Sequence, residues 1–297
     1  MPATAVLFLT HFANSEIRAR YFRLKQALAG RHRVFYAQDL LSRVAHRRIT
    51  RDLLPDLFLF DRALLARLPY ERAREPWEGA SVVPGRVDLV PQLFARLHPT
   101  FERIYLVEHD VFWSGGDWRE VFEVLDESPA DLLATNVTRR DEHPLWNLWS
   151  ELQTPGRPLP PPERQVRALM AFCRYSRAAL AALEAAYAAG WRGHFEGLVP
   201  TACLAAGLQV EDIGGEGPFV PPERLRRFYW SDRIVRQHAP AAGTFVYRPE
   251  QQPRPGERWL WHPVKVAPDL DWRHRLRRWR HGHVERAAHF AEAEQRL

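Results

Sequence analysis

The hydrophobic pattern of the first half of the chain alternates between short apolar runs and longer stretches in which apolar residues recur every three or four positions. Ala5–Leu9, Val34–Ala37, Leu57–Phe60, Ile104–Val107 and Asp131–Thr135 read as strands. Glu16–Leu28, with Ile17, Tyr21, Leu24 and Leu28 on one face, reads as a helix stopped by Gly30. Leu89–Leu97 and Asp117–Leu125 give two more helices, the second with Asp117 as its cap. Strand, helix and strand in this order predict an α/β chain opening on a βαβ unit.

The second half is less regular. Leu169–Ser176 reads as a strand and Ala178–Ala189 as an alanine-rich helix closed by Gly190. The stretch Trp191–Thr201 leads into a predicted helix at Ala202–Ala206, ended by Gly207, and Leu208–Ile213 reads as a short edge strand. Thr244–Tyr247 predicts one more strand. Two segments break the periodicity: Arg62–Pro84, read as a variable loop, and Asp141–Arg164, where five prolines follow Trp146 and Trp149. A proline-rich loop of that length suits a lid or an acceptor-binding loop, and its tryptophans suit either stacking on rings or packing in the core. Trp272–Leu297 reads as one amphipathic helix whose first half carries Arg273, Arg275, Arg277, Arg278 and Arg280, a pattern suited to anionic membranes. The expected division is therefore a catalytic-sized unit over 1–267 and a basic helix over 268–297.

Composition narrows the class. With 297 residues and 46% hydrophobic content the chain can bury a sizeable core. A net charge of +6 carried mainly by arginine points to anionic ligands or surfaces, or to a genome that favours arginine throughout. Cys173 and Cys203 are the two cysteines, too few for a disulfide framework or a cysteine-rich zinc site. No apolar stretch reaches the length of a membrane span, and Ala3–Leu9 lacks the basic lead of a signal peptide, so the expected location is the cytoplasm, with the basic helix at the inner face of the membrane.

The chemistry concentrates where apolar runs end. Glu108 and Asp110 follow the run Ile104–Val107, and Ser114, Gly115 and Gly116 turn the chain away. Two hard oxygen ligands at the carboxyl end of a strand suit a divalent cation and, through it, phosphates; the same pair also suits a solvated turn. Thr10, His11 and Asn14 follow the first strand on the same side of a parallel sheet and can contact a nucleotide, while Asn14 serves equally as a helix cap. Glu196 lies before a helix, where a carboxylate complements the dipole. His262 and Lys265, in His-Pro-Val-Lys, suit a metal ligand beside a phosphate-binding amine, or a structural histidine.

The order of these pieces resembles the metal-dependent glycosyltransferases of the GT-A fold, from the first strand to about Lys265, and is similar to bacterial members with an acidic strand-end motif and a terminal His-Pro-Val-Lys. That resemblance implies a Rossmann-type mixed sheet flanked by helices, with a basic C-terminal helix outside it. It also implies Mn²⁺ or Mg²⁺ held by Asp110 and His262 with help from Glu108, a UDP-sugar donor whose diphosphate meets Lys265, and Glu196 as the base of an inverting transfer to a glycan or lipid-linked acceptor. Glu108-His109-Asp110 departs from the family's DxD by one methylene at its first position, and Phe195-Glu196-Gly197 stands where many relatives have Glu-Asp. The rival readings are a nucleic-acid- or membrane-binding protein acting through its arginine-rich helix, and a catalytically silent scaffold of the same fold.

Overall fold

The computed structural model describes residues 3–11, 14–40, 53–75, 82, 85–231, 243–246, 253, 254 and 256–266. The predicted basic helix of 268–297 and Tyr247 lie outside the described residues.

Seven strands form one sheet: β1 (Thr4–Thr10), β2 (Arg33–Asp39), β3 (Leu57–Phe60), β4 (Arg103–Glu108), β6 (Leu132–Arg139), β7 (Val166–Ser176) and β8 (Val210–Asp212), in the order β3-β2-β1-β4-β7-β6-β8. A separate two-stranded ribbon pairs β5 (Phe112–Trp113) with β9 (Leu260–Trp261). Pairings β1–β2, β1–β4, β2–β3 and β6–β8 are parallel, while β7 is antiparallel to both β4 and β6. Every strand of the large sheet except β7 therefore points its carboxyl end to the same edge, where α/β sheets bind ligands. The sheet is mixed, as the resemblance implies, and opens on the βαβ unit that the sequence pattern predicts.

Among the described residues six helices cover the faces: α1 (Ser15–Ala27), α2 (Arg62–Leu65), α3 (Leu89–Leu97), α4 (Arg119–Asp126), α5 (Arg177–Ala188) and α6 (Phe195–Ala205). Alternation along the central strand divides the core. Ile104 and Leu106 join the cluster under α3, α5 and α6, whereas Tyr105 and Val107 join the cluster under α1 and α4. The first strand, apolar from Ala5 to Leu9, is buried along its length because it lies between β2 and β4. Among the described residues no helix is long and apolar enough to cross a membrane.

Asn14 caps α1 as expected, accepting the Ile17 N–H at 2.8 Å. Asp117, expected as the cap of α4, lies one residue before the cap position, which Trp118 occupies, and accepts the Arg119 N–H at 2.9 Å. Three further expectations need correction. The helix expected at Ala202–Ala206 starts seven residues earlier, at Phe195, and contains Pro200. Proline deprives the Glu196 carbonyl of its helical donor, but Phe195–Cys203 are buried throughout, and that burial outweighs the local proline cost of about 3 kcal/mol. The supposed loop Arg62–Pro84 contains α2, capped by Asp61 onto the Leu64 N–H at 2.7 Å, and a 3₁₀ turn at Glu71–Ala73. The expected strand at Thr244–Tyr247 is reduced, in its described part, to isolated bridges, including Phe245 with His262.

Candidate metal and transfer site

The central strand β4 leads its chain straight into the site. After Glu108, the His109 N–H donates to the Leu9 carbonyl at 2.9 Å and the Val111 N–H to the Glu108 carbonyl at 3.0 Å, so the chain turns at once and Asp110 points inward, 2% exposed. The C-terminal segment closes over this turn. Val264 N–H donates to the Asp110 carbonyl at 2.8 Å, His262 N–H to the Thr244 carbonyl at 2.8 Å, and β9 pairs with β5 just beyond.

Arg20 of α1 clips the two pieces together: its Nη1 donates to the His109 carbonyl at 3.2 Å and to the Val264 carbonyl at 2.9 Å. It also pairs with Glu16 at 2.8 Å. A charged residue on the buried Ile17-Tyr21-Leu24 stripe was the sequence signal for this role, and it was missed.

Glu108, Asp110 and His262 each present one ligand atom within 4.8 Å of the others. His262 Nε2 lies 3.7 Å from Asp110 Oδ1 and 4.0 Å from Glu108 Oε2. The other ring nitrogen, Nδ1, lies 2.6 Å from the Val246 carbonyl. A carbonyl only accepts, so Nδ1 carries the proton and Nε2 turns its lone pair toward the carboxylates. Burial holds His262 below its usual pKa, against the pull of Asp110, which keeps that lone pair available. Lys265 donates to Asp110 Oδ2 and is itself half-exposed, whereas Asp110 Oδ1 is buried without any donor.

The electrostatics describe a site short of positive charge. Burial pushes the Glu108 carboxyl up to about 8, helped by Asp110 and Glu196 and opposed by Lys265. Burial also opposes ionisation of Asp110, but His262, His109 and Lys265 hold it below the usual carboxylate range. An orphaned carboxylate oxygen, a second carboxylate kept from ionising and an imidazole lone pair on one spot form a donor set that fits a divalent cation. The carboxylates suit Mn²⁺ or Mg²⁺, and the softer imidazole favours Mn²⁺ of the two.

Glu196, 9% exposed in the first turn of α6, lies close enough for its charge to raise Glu108. Burial pushes its own carboxyl up to about 7, against Arg167 and a backbone N–H from Met170. His194 caps the helix by accepting the Glu196 N–H through Nδ1 at 3.4 Å, and burial lowers its pKa to about 4, so the ring is neutral. The loop before it is pinned by a buried pair: Arg72 binds Asp88 through Nε at 3.0 Å and Nη2 at 3.2 Å, and its Nη1 donates to the Gly193 carbonyl at 2.8 Å. Arg167 also stacks over Trp146 at 5.7 Å, and Trp146 leans on Gly197, where a Cβ would meet its ring at 3.0 Å. Trp149 is a core residue whose indole N–H donates to the His143 carbonyl at 2.9 Å.

The remaining expected residues sit at the end of β1. His11 packs its ring edge on His109 at 4.9 Å, and its pKa is lowered to about 3, first by burial and then by His109. Thr10 is buried opposite Gln38. Asn14 lies one turn further on, with its side chain on the helix N-terminus.

No protein-family model matches the chain, and no curated protein sequence matches it. Among solved structures it is similar to mouse xyloside xylosyltransferase 1 in its apo form, at 14% identity and a TM-score of 0.37, covering 73% of this chain and 88% of that one. It is also similar to the galactosyltransferase LgtC in complex with donor and acceptor sugar analogues, at 9% identity and a TM-score of 0.32, covering 58% and 57%. Likeness at that level carries no conclusion about chemistry, which rests on the residues above.

Proposed function

We propose that the chain is a glycosyltransferase that moves a sugar from a nucleotide-sugar donor, a UDP-sugar, to a hydroxyl of a glycan or lipid-linked acceptor. The observation that carries this reading is the orphaned Asp110 oxygen facing Glu108 and the unprotonated nitrogen of His262 at the carboxyl end of the central strand.

Asp110 and His262 would hold Mn²⁺ or Mg²⁺ with Glu108 beside them. When bound, the cation supplies positive charge to the diphosphate that leaves. Lys265, half-exposed on the outer Asp110 oxygen, is placed to turn its ammonium onto the same phosphates. Thr10, His11 and Asn14 stand at the neighbouring strand end on the nucleotide side. His11, kept neutral, offers a hydrogen bond without adding a cation to the site.

Glu196 is the base of an inverting reaction. The acceptor oxygen bonds to the anomeric carbon, the bond from that carbon to the diphosphate oxygen breaks, and the hydroxyl proton passes to Glu196. A carboxyl held near 7 is suited to taking a proton at neutral pH.

Calorimetric titration with UDP, with and without Mn²⁺, tests the donor half. Binding that needs the metal is expected, and metal-independent binding or none overturns it. Glu196→Gln should bind UDP as the native protein does while losing transfer by about 10²- to 10⁴-fold; undiminished transfer removes Glu196 from the role.

A further inference from the structure

A second concavity opens on the other face of the sheet. Glu108 and Val107 point to opposite faces by strand alternation, and Val107 lines this space together with α1, the β5 turn and the start of α4. Its volume is about 690 Å³. The floor is apolar, with Phe112 and Trp118 partly exposed, and Arg20, Arg23, Arg119 and Arg254 stand around it.

Apart from Arg20, which pairs with Glu16 at 2.8 Å, these cations are poorly opposed. Arg20 and Arg23 lie over the Phe112 ring at 5.6 and 5.9 Å, and the buried Arg20 Nε has no partner. Arg23 meets no carboxylate among the described residues. Arg119 donates through Nε to the Ala27 carbonyl at 3.3 Å, and Arg254 reaches Glu257 only at 3.7 Å. Asp117, the one carboxylate lining the space among the described residues, has Oδ1 committed to the Arg119 N–H.

We infer that this cavity seats the phosphate of an anionic phospholipid at a membrane surface, with the arginines on the phosphate and Phe112 and Trp118 at headgroup level. Charge complementarity selects the anion, and the aromatic floor selects an amphiphile over a free phosphate. The chain's own continuation is opposed as occupant by like charge. The described chain ends at Val266, two residues past the carbonyl that Arg20 holds, and residues 267–297 carry seven arginines against five carboxylates, a net positive charge. Because Arg20 also clips the metal turn, an occupant would touch the group that holds Asp110 in place. Arg20 alone is shared with the metal turn; the other arginines and the aromatic floor play no part in the sugar-transfer reading.

The test uses the full chain and vesicles of phosphatidylcholine, alone or mixed with phosphatidylglycerol, with the bound fraction read by co-sedimentation. The triple variant Arg23→Gln, Arg119→Gln, Arg254→Gln is compared with Arg67→Gln, Arg157→Gln, Arg164→Gln, which removes the same charge from exposed positions elsewhere. The native protein should bind the phosphatidylglycerol vesicles alone. Affinity should fall about fivefold per arginine in the cavity triple and stay near native in the control. Equal loss in the two triples, unchanged binding in both, or no binding by the native protein overturns the inference. Bromine-labelled acyl chains should quench tryptophan fluorescence less in Trp118→Phe than in the native protein; equal quenching overturns the placement. Glycerol phosphate that binds while vesicles do not also overturns the assignment to lipid.

Discussion

Asp110 and Asp212 are buried aspartates at the carboxyl ends of strands that point the same way in one sheet, yet their surroundings differ in kind. Asp212 is fully buried and accepts from the N–H groups of Val137, Gly214 and Gly215 at 3.1, 2.9 and 2.9 Å and from the Tyr229 hydroxyl at 2.6 Å. The Tyr229 oxygen in turn accepts the Asn136 N–H at 2.6 Å. Asp110 has one oxygen on Lys265 and the other on nothing, with Glu108 and His262 turned toward it. A buried carboxylate whose oxygens are all occupied holds a turn together. One left short of donors beside a second carboxylate and a free imidazole nitrogen is arranged to hold a ligand.

The largest test of that contrast is Asp212→Ala, which strands three backbone donors and a phenol. Its denaturant midpoint should report a loss of about 3–5 kcal/mol. A loss below about 1 kcal/mol would show that the turn does not depend on the carboxylate. Asp110→Asn should do the reverse. Metal-dependent UDP binding should weaken at least about 100-fold, more than a group behind the ligands would cost, while stability changes by less than about 2 kcal/mol because Lys265 can turn to solvent. If the two variants lose stability alike and UDP binding is untouched, the distinction between them fails.

A smaller effect separates Glu196 from both. Its carboxyl is raised in the fold from its ordinary value of 4.5 to about 7, so its contribution to stability is fully present below about 4.5 and lost as pH rises through about 7. Glu196→Gln removes the charge that must be buried. The variant should therefore be more stable than the native protein above pH 7 by roughly 2–3 kcal/mol, with the gap closing below pH 5. Melting curves at pH 5 and pH 8 give the answer, and a gap that does not change with pH rejects it.

The sequence by itself determined the elements. Apolar runs and helical spacing located β1 to β4, α1, α3 and the cap at Asn14, because periodicity and capping act within a few residues. It also placed an acidic pair at the end of a buried strand and a histidine and lysine in a later extended segment. It did not reveal Asp212 as a turn-holding group, although Ile213-Gly214-Gly215 after a short strand is the kind of turn such a residue serves. Nor did it place the start of α6, where burial of Phe195–Cys203 overrides Pro200.

Only the tertiary structure decided which carboxylates lack donors. The nearness of His262 to Asp110 depends on pairings between segments far apart in the chain: Val264 on Asp110, β9 on β5 and Arg20 across both. The tautomer of His262 depends on the Val246 carbonyl, and the high pKa of Glu196 on the water excluded around it. Desolvation and hydrogen-bond satisfaction are properties of what surrounds a group from all sides, and the order of residues along the chain fixes only what lies beside it.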